Sequence, residues 1–260
     1  MINARSALRS AANALLLAAL VGSNATAQVP AGMARIEGGR FRPLLARTAD
    51  DALQLASFAI DTMPVSHASF ARFVRANPEW ARGRVPSELA DEGYLQVLKS
   101  PLPLGVRPAT QVSRFAAAAY CQARAARLPT TDEWEYVARA SESDRNAAAG
   151  SAFRERALRL ALAADPGSYL LGSGFRNAWG VYDLHGGINE WTLDAQRRGH
   201  DEAHAGHKAA PSCGSGSTQS DQTNDYAAFL RFSFRSALSA RTTAPNLGFR
   251  CASSLPPAGR

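Results

Sequence analysis

The sequence predicts an irregular α+β domain, in which a few helices pack with short strands and long loops. Helix-like segments with caps and apolar spacing alternate with short stretches that have the two-residue period of strands. Stretches rich in glycine and proline separate these elements. No linker divides the chain and no internal repeat is visible, so a single domain is expected.

The first part of the chain is predicted to contain short strands and one helix. Residues 36–41 (IEGGRF) are typical of a hairpin, because two adjacent glycines permit a tight turn, and residues 57–61 (SFAID) alternate like a strand. Residues 66–75 have helical spacing. The apolar face of that helix consists of Phe70, Phe73 and Val74. Residues 78–108 are rich in proline and glycine and are expected to form a loop.

The middle of the chain is predicted to be helical. The alanine-rich stretch at 112–126 favours a helix that ends before a proline. Thr130 and Glu133 have the spacing of a capping box, so a second helix is expected to begin there. A further helix is predicted at 155–164, where an Asp-Pro-Gly sequence stops it.

The last third of the chain is predicted to be mostly loop. Glycine recurs over 172–187, so regular structure should be sparse there, and 198–223 is expected to be an exposed loop. Residues 229–234 are apolar and aromatic and are predicted to form a strand. Residues 248–251 are predicted to form a closing strand.

The N-terminus is typical of a secretory leader. Arg5 and Arg9 precede an apolar run at 11–22, and the small residues Ala25 and Ala27 fit a cleavage site. A membrane anchor would need about 20 apolar residues, and this run is shorter. The mature protein is therefore not expected to span a membrane.

Cleavage after Ala27 would divide the chain into a signal peptide at 1–27 and one domain at 28–260, which is expected to be periplasmic or secreted. The composition, 46% hydrophobic and 20% charged over 260 residues, is that of a globular protein. The net charge is +7, but the basic residues are scattered and not interleaved with aromatics. Nucleic acid binding is therefore not expected.

The three cysteines of the chain are Cys121, Cys213 and Cys251. In an exported protein, an odd number of cysteines suggests one disulfide and one free thiol. Sequence spacing alone leaves open which two of them pair.

Several stretches carry a specific resemblance to a known family. Residues 127–136 (RLPTTDEWEY) and 246–251 (NLGFRC) match signatures of the formylglycine-generating enzymes, or sulfatase-modifying factors. Residues 177–191 (NAWGVYDLHGGINEW) parallel another of the family's motifs, and residues 63–66 (MPVS) resemble an upstream element. The resemblance extends from about residue 33 to the C-terminus, and it implies an irregular variant of the C-type-lectin-like fold.

The resemblance also implies a calcium site within residues 183–190 (DLHGGINE). At the positions that match the family's ligands stand the side chains of Asp183 and Glu190 and the carbonyls of Gly186 and Ile188. Calcium takes about six to eight oxygen ligands, and backbone carbonyls are common among them. The alternative is a hydrogen-bonded loop in which Glu190 meets backbone N–H groups.

The resemblance further implies a disulfide, because the family commonly bridges the cysteines that match Cys121 and Cys251. Such a bridge would leave Cys213 as a free thiol. The sequence departs from the family at the reactive site, where two nearby cysteines bind copper(I) as thiolates and oxygen is activated. The matching stretch at 226–235 (YAAFLRFSFR) has no cysteine.

Within that stretch, Leu230 or Arg231 stands at the place of the second family cysteine, and Cys213 lies near the place of the first. One cysteine does not make a two-thiolate copper site. Standard formylglycine generation is therefore not expected, and Cys213 is the candidate catalytic residue that remains.

Three histidines lie shortly before Cys213: His200, His204 and His207. Imidazoles at i, i+4 and i+7 can share a helical face and, with a thiolate, bind copper or zinc. Nearby glycines disfavour a stable helix, so the alternative is a solvated loop without metal. No His-Glu-x-x-His zinc-protease motif is present.

Two functions follow from these observations. The first is an exported maturation factor that acts on a protein partner by oxidative or copper-linked chemistry at Cys213. A NirV-like branch of the family, found near copper nitrite reductase genes, is similar in its Cys-Gly-x-Gly and Phe-Arg-Ser-x-Leu stretches. The second is a non-catalytic binding module, because lectin-like folds display variable loops on a rigid base.

Overall fold

The computed structural model describes residues 28–44, 46, 49–96, 104–195 and 225–256. Within these residues, long irregular segments join short strands and helices, which is the predicted α+β architecture. The helices are α1 His67–Ala76, α2 Arg114–Ala123, α3 Thr131–Ala138, α4 Ser151–Leu162 and α5 Tyr226–Ser236. The strands are β1 Met33–Ile36, β2 Gly39–Phe41, β3 Leu53–Leu55, β4 Phe58–Asp61, β5 Asn189–Glu190, β6 Leu247–Gly248 and β7 Ala252–Ser254.

Capping side chains fix where the helices begin. Ser66, Ser113 and Thr130 precede α1, α2 and α3, and each accepts a hydrogen bond from the backbone N–H three residues later. Thr130 and Glu133 form the predicted capping box, since the Glu133 carboxylate also accepts from the N–H of Thr130 at 2.8 Å. The predictions for the starts of α1 and α3 are confirmed.

The strands form three small sheets. The largest has the order β1-β4-β7 and is antiparallel, with Met33 opposite Asp61 and Phe58 opposite Ser254. Strands β2 and β3 form an antiparallel pair, and β5 and β6 form a parallel pair. The segment near the C-terminus thus joins both the largest sheet, through β7, and the short pair beside Glu190, through β6.

The predicted hairpin at 36–41 is wrong in its pairing. Strand β1 pairs with β4, whereas β2 pairs with β3, so the chain crosses between two sheets at Gly38. A Cβ atom at Gly38 would lie 2.1 Å from the carbonyl oxygen of Leu55. The glycine is therefore required by a close approach between backbones rather than by a hairpin turn.

The predicted strand at 229–234 is also wrong, because this stretch lies inside helix α5. The Asp225 carboxylate caps the helix by accepting from the N–H of Ala228 at 3.0 Å. Ala227, Ala228 and Arg235 form its buried side. Tertiary contacts of that side outweigh the aromatic, strand-like composition of the sequence.

Two apolar clusters fill the interior. The first lies between α1, α2 and the C-terminal segment, and its rings pack edge to face or tilted with centroids 5.4–5.9 Å apart. Its rings are those of Phe70, Phe73, Tyr120 and Phe249. The second lies between the largest sheet and α3, and its largest members are Trp134, Trp179, Phe58, Ile36 and Ile60.

A disulfide joins Cys121 of α2 to Cys251 beside β7, with the two Cα atoms 5.6 Å apart. Both cysteines are fully buried in the first cluster. The pairing implied by the family resemblance is therefore confirmed. Because the chain has three cysteines, Cys213 alone has no intramolecular partner left.

Within the described residues, no helix combines the length and apolar character needed to cross a membrane.

Candidate functional site on the last helix

Helix α5 carries the stretch that matches the reactive site of the family. Three of its apolar side chains face outward, namely Tyr226, Phe229 and Leu230. Either Leu230 or Arg231 stands at the place of the second family cysteine, and the structure places Leu230 on the exposed side. The side chain of Arg231 turns instead towards α3.

Two arginines of α5 contact one carboxylate of α3. Arg231 donates to the two oxygens of Glu135 at 3.0 and 2.6 Å, and Arg235 donates to Oε1 at 2.7 Å. The arginines are four residues apart, so both lie on the side of the helix that faces Glu135. The exposed fractions are 15% for Glu135, 11% for Arg231 and 4% for Arg235. We refer to these three residues as the ion triad.

The ion triad is permanently charged near neutral pH. Burial disfavours the ionised form of Glu135, but the charges and hydrogen bonds of Arg231 and Arg235 outweigh burial and lower the pKa of Glu135 to about 2. Guanidinium groups do not lose their protons in proteins. The triad therefore positions the helix and supplies charge, and it has no group suited to acid–base catalysis at neutral pH.

The ring of Trp134 links the ion triad to the core. The guanidinium carbons of Arg231 and Arg235 lie 5.2 and 4.5 Å from its ring centroid. The indole Nε1 donates in the ring plane to Oε2 of Glu190 at 2.8 Å. One tryptophan thus carries two cations on its face and a carboxylate at its edge, which is the arrangement its charge distribution favours.

The carboxylate of Glu190 belongs to a fully buried ion pair. Arg250 donates to its two oxygens at 2.6 and 2.7 Å, and both side chains are 0% exposed. The remaining donors of Arg250 reach the carbonyl oxygens of Tyr182 at 3.1 Å and Asp61 at 3.3 Å. Nearly every polar group of the pair is satisfied, which a buried charge requires.

The predicted calcium loop is held by hydrogen bonds. Asp183 has a φ of 62°, and its carboxylate accepts from the N–H groups of Gly172 at 2.6 Å and Gly174 at 2.8 Å. The buried hydroxyl of Tyr169 lies beside this carboxylate without a well-directed hydrogen bond. Burial raises the pKa of Tyr169, and the nearby charge of Asp183 adds to the effect.

As hydrogen-bonded in this structure, the four predicted ligands do not fit a calcium ion. Glu190 is neutralised by Arg250 instead of facing a cation, and the Tyr169 hydroxyl lies among the carboxylates. The contacts favour the alternative of a hydrogen-bonded loop, although the partners of Glu190 are side chains rather than the expected backbone N–H groups. Calcium binding by Asp183, Gly186, Ile188 and Glu190 stays a prediction.

The other predicted metal site, formed by His200, His204, His207 and Cys213, lies outside the described residues. The candidate catalytic role of Cys213 stays a prediction for the same reason. In the part of the chain that the structure describes, no three side chains of His, Cys, Asp or Glu are grouped so as to hold a metal ion.

Sequence reasoning missed the ion triad. The signal present in the sequence is an Arg-x-x-x-Arg spacing that follows a helix-capping aspartate at 225. The partner carboxylate lies in a distant motif, 96 and 100 positions from the two arginines. Only the folded chain shows that Glu135 of that motif receives both of them.

The profile of the Sulfatase-modifying factor enzyme 1-like domain matches residues 18–255, so the chain belongs to this family.

Among curated proteins, the chain is similar to the inactive C-alpha-formylglycine-generating enzyme 2 of two mammals. The Mus musculus protein is 28% identical over 292 aligned positions, which cover 88% of this chain and 87% of that protein. The Bos taurus protein is 28% identical over 238 positions, which cover 75% of this chain and 77% of that protein. The formylglycine-generating enzyme of Mus musculus is 29% identical over 164 positions, covering 56% of this chain and 44% of that enzyme.

Two solved structures are also similar. CarF has a TM-score of 0.46 and 16% identity, over 86% of this chain and 98% of that chain. PvdO from Pseudomonas aeruginosa has a TM-score of 0.48 and 18% identity, over 86% of this chain and 94% of that chain. The family assignment does not depend on these two likenesses.

Proposed function

We propose that the protein is an exported factor of this family that acts on an exported protein partner and does not generate formylglycine. One observation carries the proposal. The Cys121–Cys251 bridge uses two of the three cysteines, so a single thiol remains in the chain. The copper(I) chemistry of the family requires two thiolates. Export is supported by the leader-like sequence at 1–27.

One version of this function is a non-catalytic binding module. The ion triad supports it, because the stretch that would carry the second thiolate instead carries Arg231, held by Glu135. A rigid base with exposed apolar residues beside it suits recognition of another protein. In this version the protein binds its partner and catalyses no reaction on it.

The second version is a maturation factor, in which Cys213 performs oxidative or copper-linked chemistry on the partner. Its support is that Cys213 has no intramolecular cysteine partner and lies in sequence near His200, His204 and His207. A thiolate and imidazoles are ligands that copper(I) accepts.

The absence of formylglycine generation is tested directly. The purified mature protein, loaded with copper(I), is incubated in air with a peptide that carries a sulfatase-type cysteine, and mass spectrometry follows the cysteine. The expected result is an unmodified peptide, while an active formylglycine-generating enzyme converts it in parallel. Conversion by this protein at a rate near that of the control enzyme would refute the proposal.

Titration with copper(I) separates the two versions. Stoichiometric binding that is lost in Cys213→Ser supports the maturation factor. A protein that binds no copper(I) at the same concentrations supports the binding module. The Ser217→Ala variant, in the same glycine- and serine-rich stretch, is the matched control and should behave as the unmodified chain.

A further inference from the structure

A cleft beside helix α3 has an excess of positive charge. It encloses about 170 Å³ and is lined by Arg42, Arg139 and Arg154. Two carboxylates, Glu135 and Asp225, also line it. The cleft lies at the start of α5, next to the ion triad.

The two carboxylates neutralise the cleft only in part. Glu135 is held by Arg231 and Arg235, which leaves the ion triad itself with a net positive charge. Asp225 accepts from the N–H of Ala228 as the cap of α5. Among the described residues, the cleft and the triad together contain five arginines and two carboxylates.

Two of the arginines have hydrogen-bonding capacity to spare. The Nε atoms of Arg42 and Arg139 are buried, and within the described residues neither has a hydrogen-bond partner. Burial lowers the pKa of the Arg139 guanidinium, while the charge of Asp225 opposes that effect. A buried guanidinium donor is unfavourable without an acceptor, so an acceptor from outside the described residues would stabilise these two arginines.

Backbone hydrogen bonds hold the Arg154 guanidinium in place. Its Nη1 donates to the carbonyl oxygens of Ala148 and Ala149, both at 2.9 Å. These bonds fix the guanidinium and use one of its nitrogens. A pre-positioned guanidinium loses less conformational freedom when it binds a carboxylate.

The cleft continues into a wider groove of about 720 Å³, which shares Arg42 and Arg139 with it. In the groove, the guanidinium carbon of Arg145 lies 4.1 Å from the ring centroid of Trp179. Nη1 of the same arginine pairs with Oε2 of Glu37 at 2.8 Å. The wall of the cleft also has apolar members, namely Phe41, Leu44, Ala148, Ala149 and Ala228. A site with both apolar wall and cations, continued by an open groove, suits a chain of residues better than a small ion.

We propose that this cleft and groove bind an acidic polypeptide segment, with one carboxylate placed between Arg42 and Arg139. Small apolar side chains of the segment contact Phe41 and the alanines. The inference rests on the proposed function, because it names the chemistry of the protein partner and the surface that receives it. Bidentate pairing with guanidinium groups is the interaction that carboxylates make best.

The probe is a synthetic dodecapeptide of alternating glutamate and alanine, titrated into the whole mature protein by calorimetry. The matched peptide has glutamine in place of glutamate, and citrate and inorganic phosphate are titrated separately as free anions. The site variant is Arg42→Gln with Arg139→Gln. The charge-matched control is Arg72→Gln with Arg75→Gln, two exposed arginines of α1. Thermal unfolding of each variant checks that it folds.

The expected result is that the acidic peptide binds, that the glutamine peptide does not, and that the site variant binds about tenfold or more weakly while the control is unchanged. Should the site variant fail to fold, Arg42→Lys with Arg139→Lys replaces it, and weaker binding is again expected because lysine cannot pair bidentately. Equal binding by the control and the site variant would overturn the proposal. Binding of citrate or phosphate at these arginines, without binding of the peptide, would overturn its assignment to a polypeptide.

The peptide titration and the test of the proposed function can fail independently of each other. Failure of the acidic peptide to bind leaves the test for formylglycine generation unaffected, since that test depends on thiols and not on the cleft. Formation of formylglycine would refute the proposed function even if the peptide bound at Arg42 and Arg139.

Discussion

The buried Glu190–Arg250 pair and the ion triad of Glu135 meet at the same tryptophan but have different surroundings. The pair is 0% exposed, and its members come from two of the family motifs. The triad is 4–15% exposed and joins one motif residue to two arginines of α5. The comparison indicates that the protein keeps the buried motif residues of its family. The helix beside them has no cysteine, and either Leu230 or Arg231 stands at the place that resembles that of a family thiolate.

The largest effect is expected from breaking the buried pair. Arg250→Met should lower the free energy of unfolding by about 3–5 kcal/mol, because it leaves the Glu190 charge buried without a partner. Chemical denaturation measures the loss. The double variant with Glu190→Leu should recover part of it, since no unpaired charge then remains. A loss below about 1 kcal/mol, the value of a surface pair, would contradict the account.

Removal of the disulfide is expected to have the next largest effect. The bridge spans 130 positions, so Cys121→Ala with Cys251→Ala should destabilise the protein by about 2–4 kcal/mol. Reduction of the unmodified protein should cause a similar shift in the denaturation midpoint. If the double variant were as stable as the parent, the C-terminal segment would be held by its packing alone.

A smaller and pH-dependent effect is expected at the ion triad. Glu135→Gln should cost about 1–3 kcal/mol at neutral pH, because two charge-assisted hydrogen-bond partners lose the carboxylate. The pKa of Glu135 is about 2 in the folded protein and so lies below its ordinary value. Its stabilising contribution is therefore present above about pH 4.5 and lost as the pH falls towards 2.

Denaturation midpoints of the parent and Glu135→Gln measured across this pH range provide the check. The difference between them should shrink as the pH falls. Glu142→Gln, an exposed carboxylate paired with Arg156, is the matched control and should alter stability little. A difference that stays constant down to pH 2 would contradict the assignment to ionised Glu135.

The smallest effect is expected from calcium. If the loop keeps the hydrogen-bonded alternative, in which Glu190 is paired with Arg250, chelation should leave the Tm unchanged. A Tm that rises with calcium and falls with chelator, with the response absent in Asp183→Ala, would instead show that the loop rearranges to bind the ion.

Local signals in the sequence predicted many of the helices and strands. The Thr130–Glu133 capping box was predicted because its two partners lie three residues apart and interact within one helical turn. Helix α5 was missed because its aromatic sequence is typical of a strand, whereas its buried side contacts residues far away in the chain. The crossing at Gly38 was missed because its cause is a distant backbone, that of Leu55.

The candidate site was less predictable than the fold. The motifs identified the family and implied the Cys121–Cys251 pair, but no spacing rule connects Glu135 with Arg231 and Arg235. Within the described residues, the Nε donors of Arg42 and Arg139 lack a partner because they are buried, and burial is set only when the strands and helices pack.

We infer that the chain keeps the buried motifs of its family, including the Cys121–Cys251 bridge, and has one free thiol instead of a reactive pair. Alkylation of the purified protein in denaturant without reductant, followed by peptide mapping, is the decisive test. The account predicts one label, on Cys213, and a disulfide-linked peptide that contains Cys121 and Cys251. Labels on Cys121 or Cys251, or a bridge that involves Cys213, would contradict it.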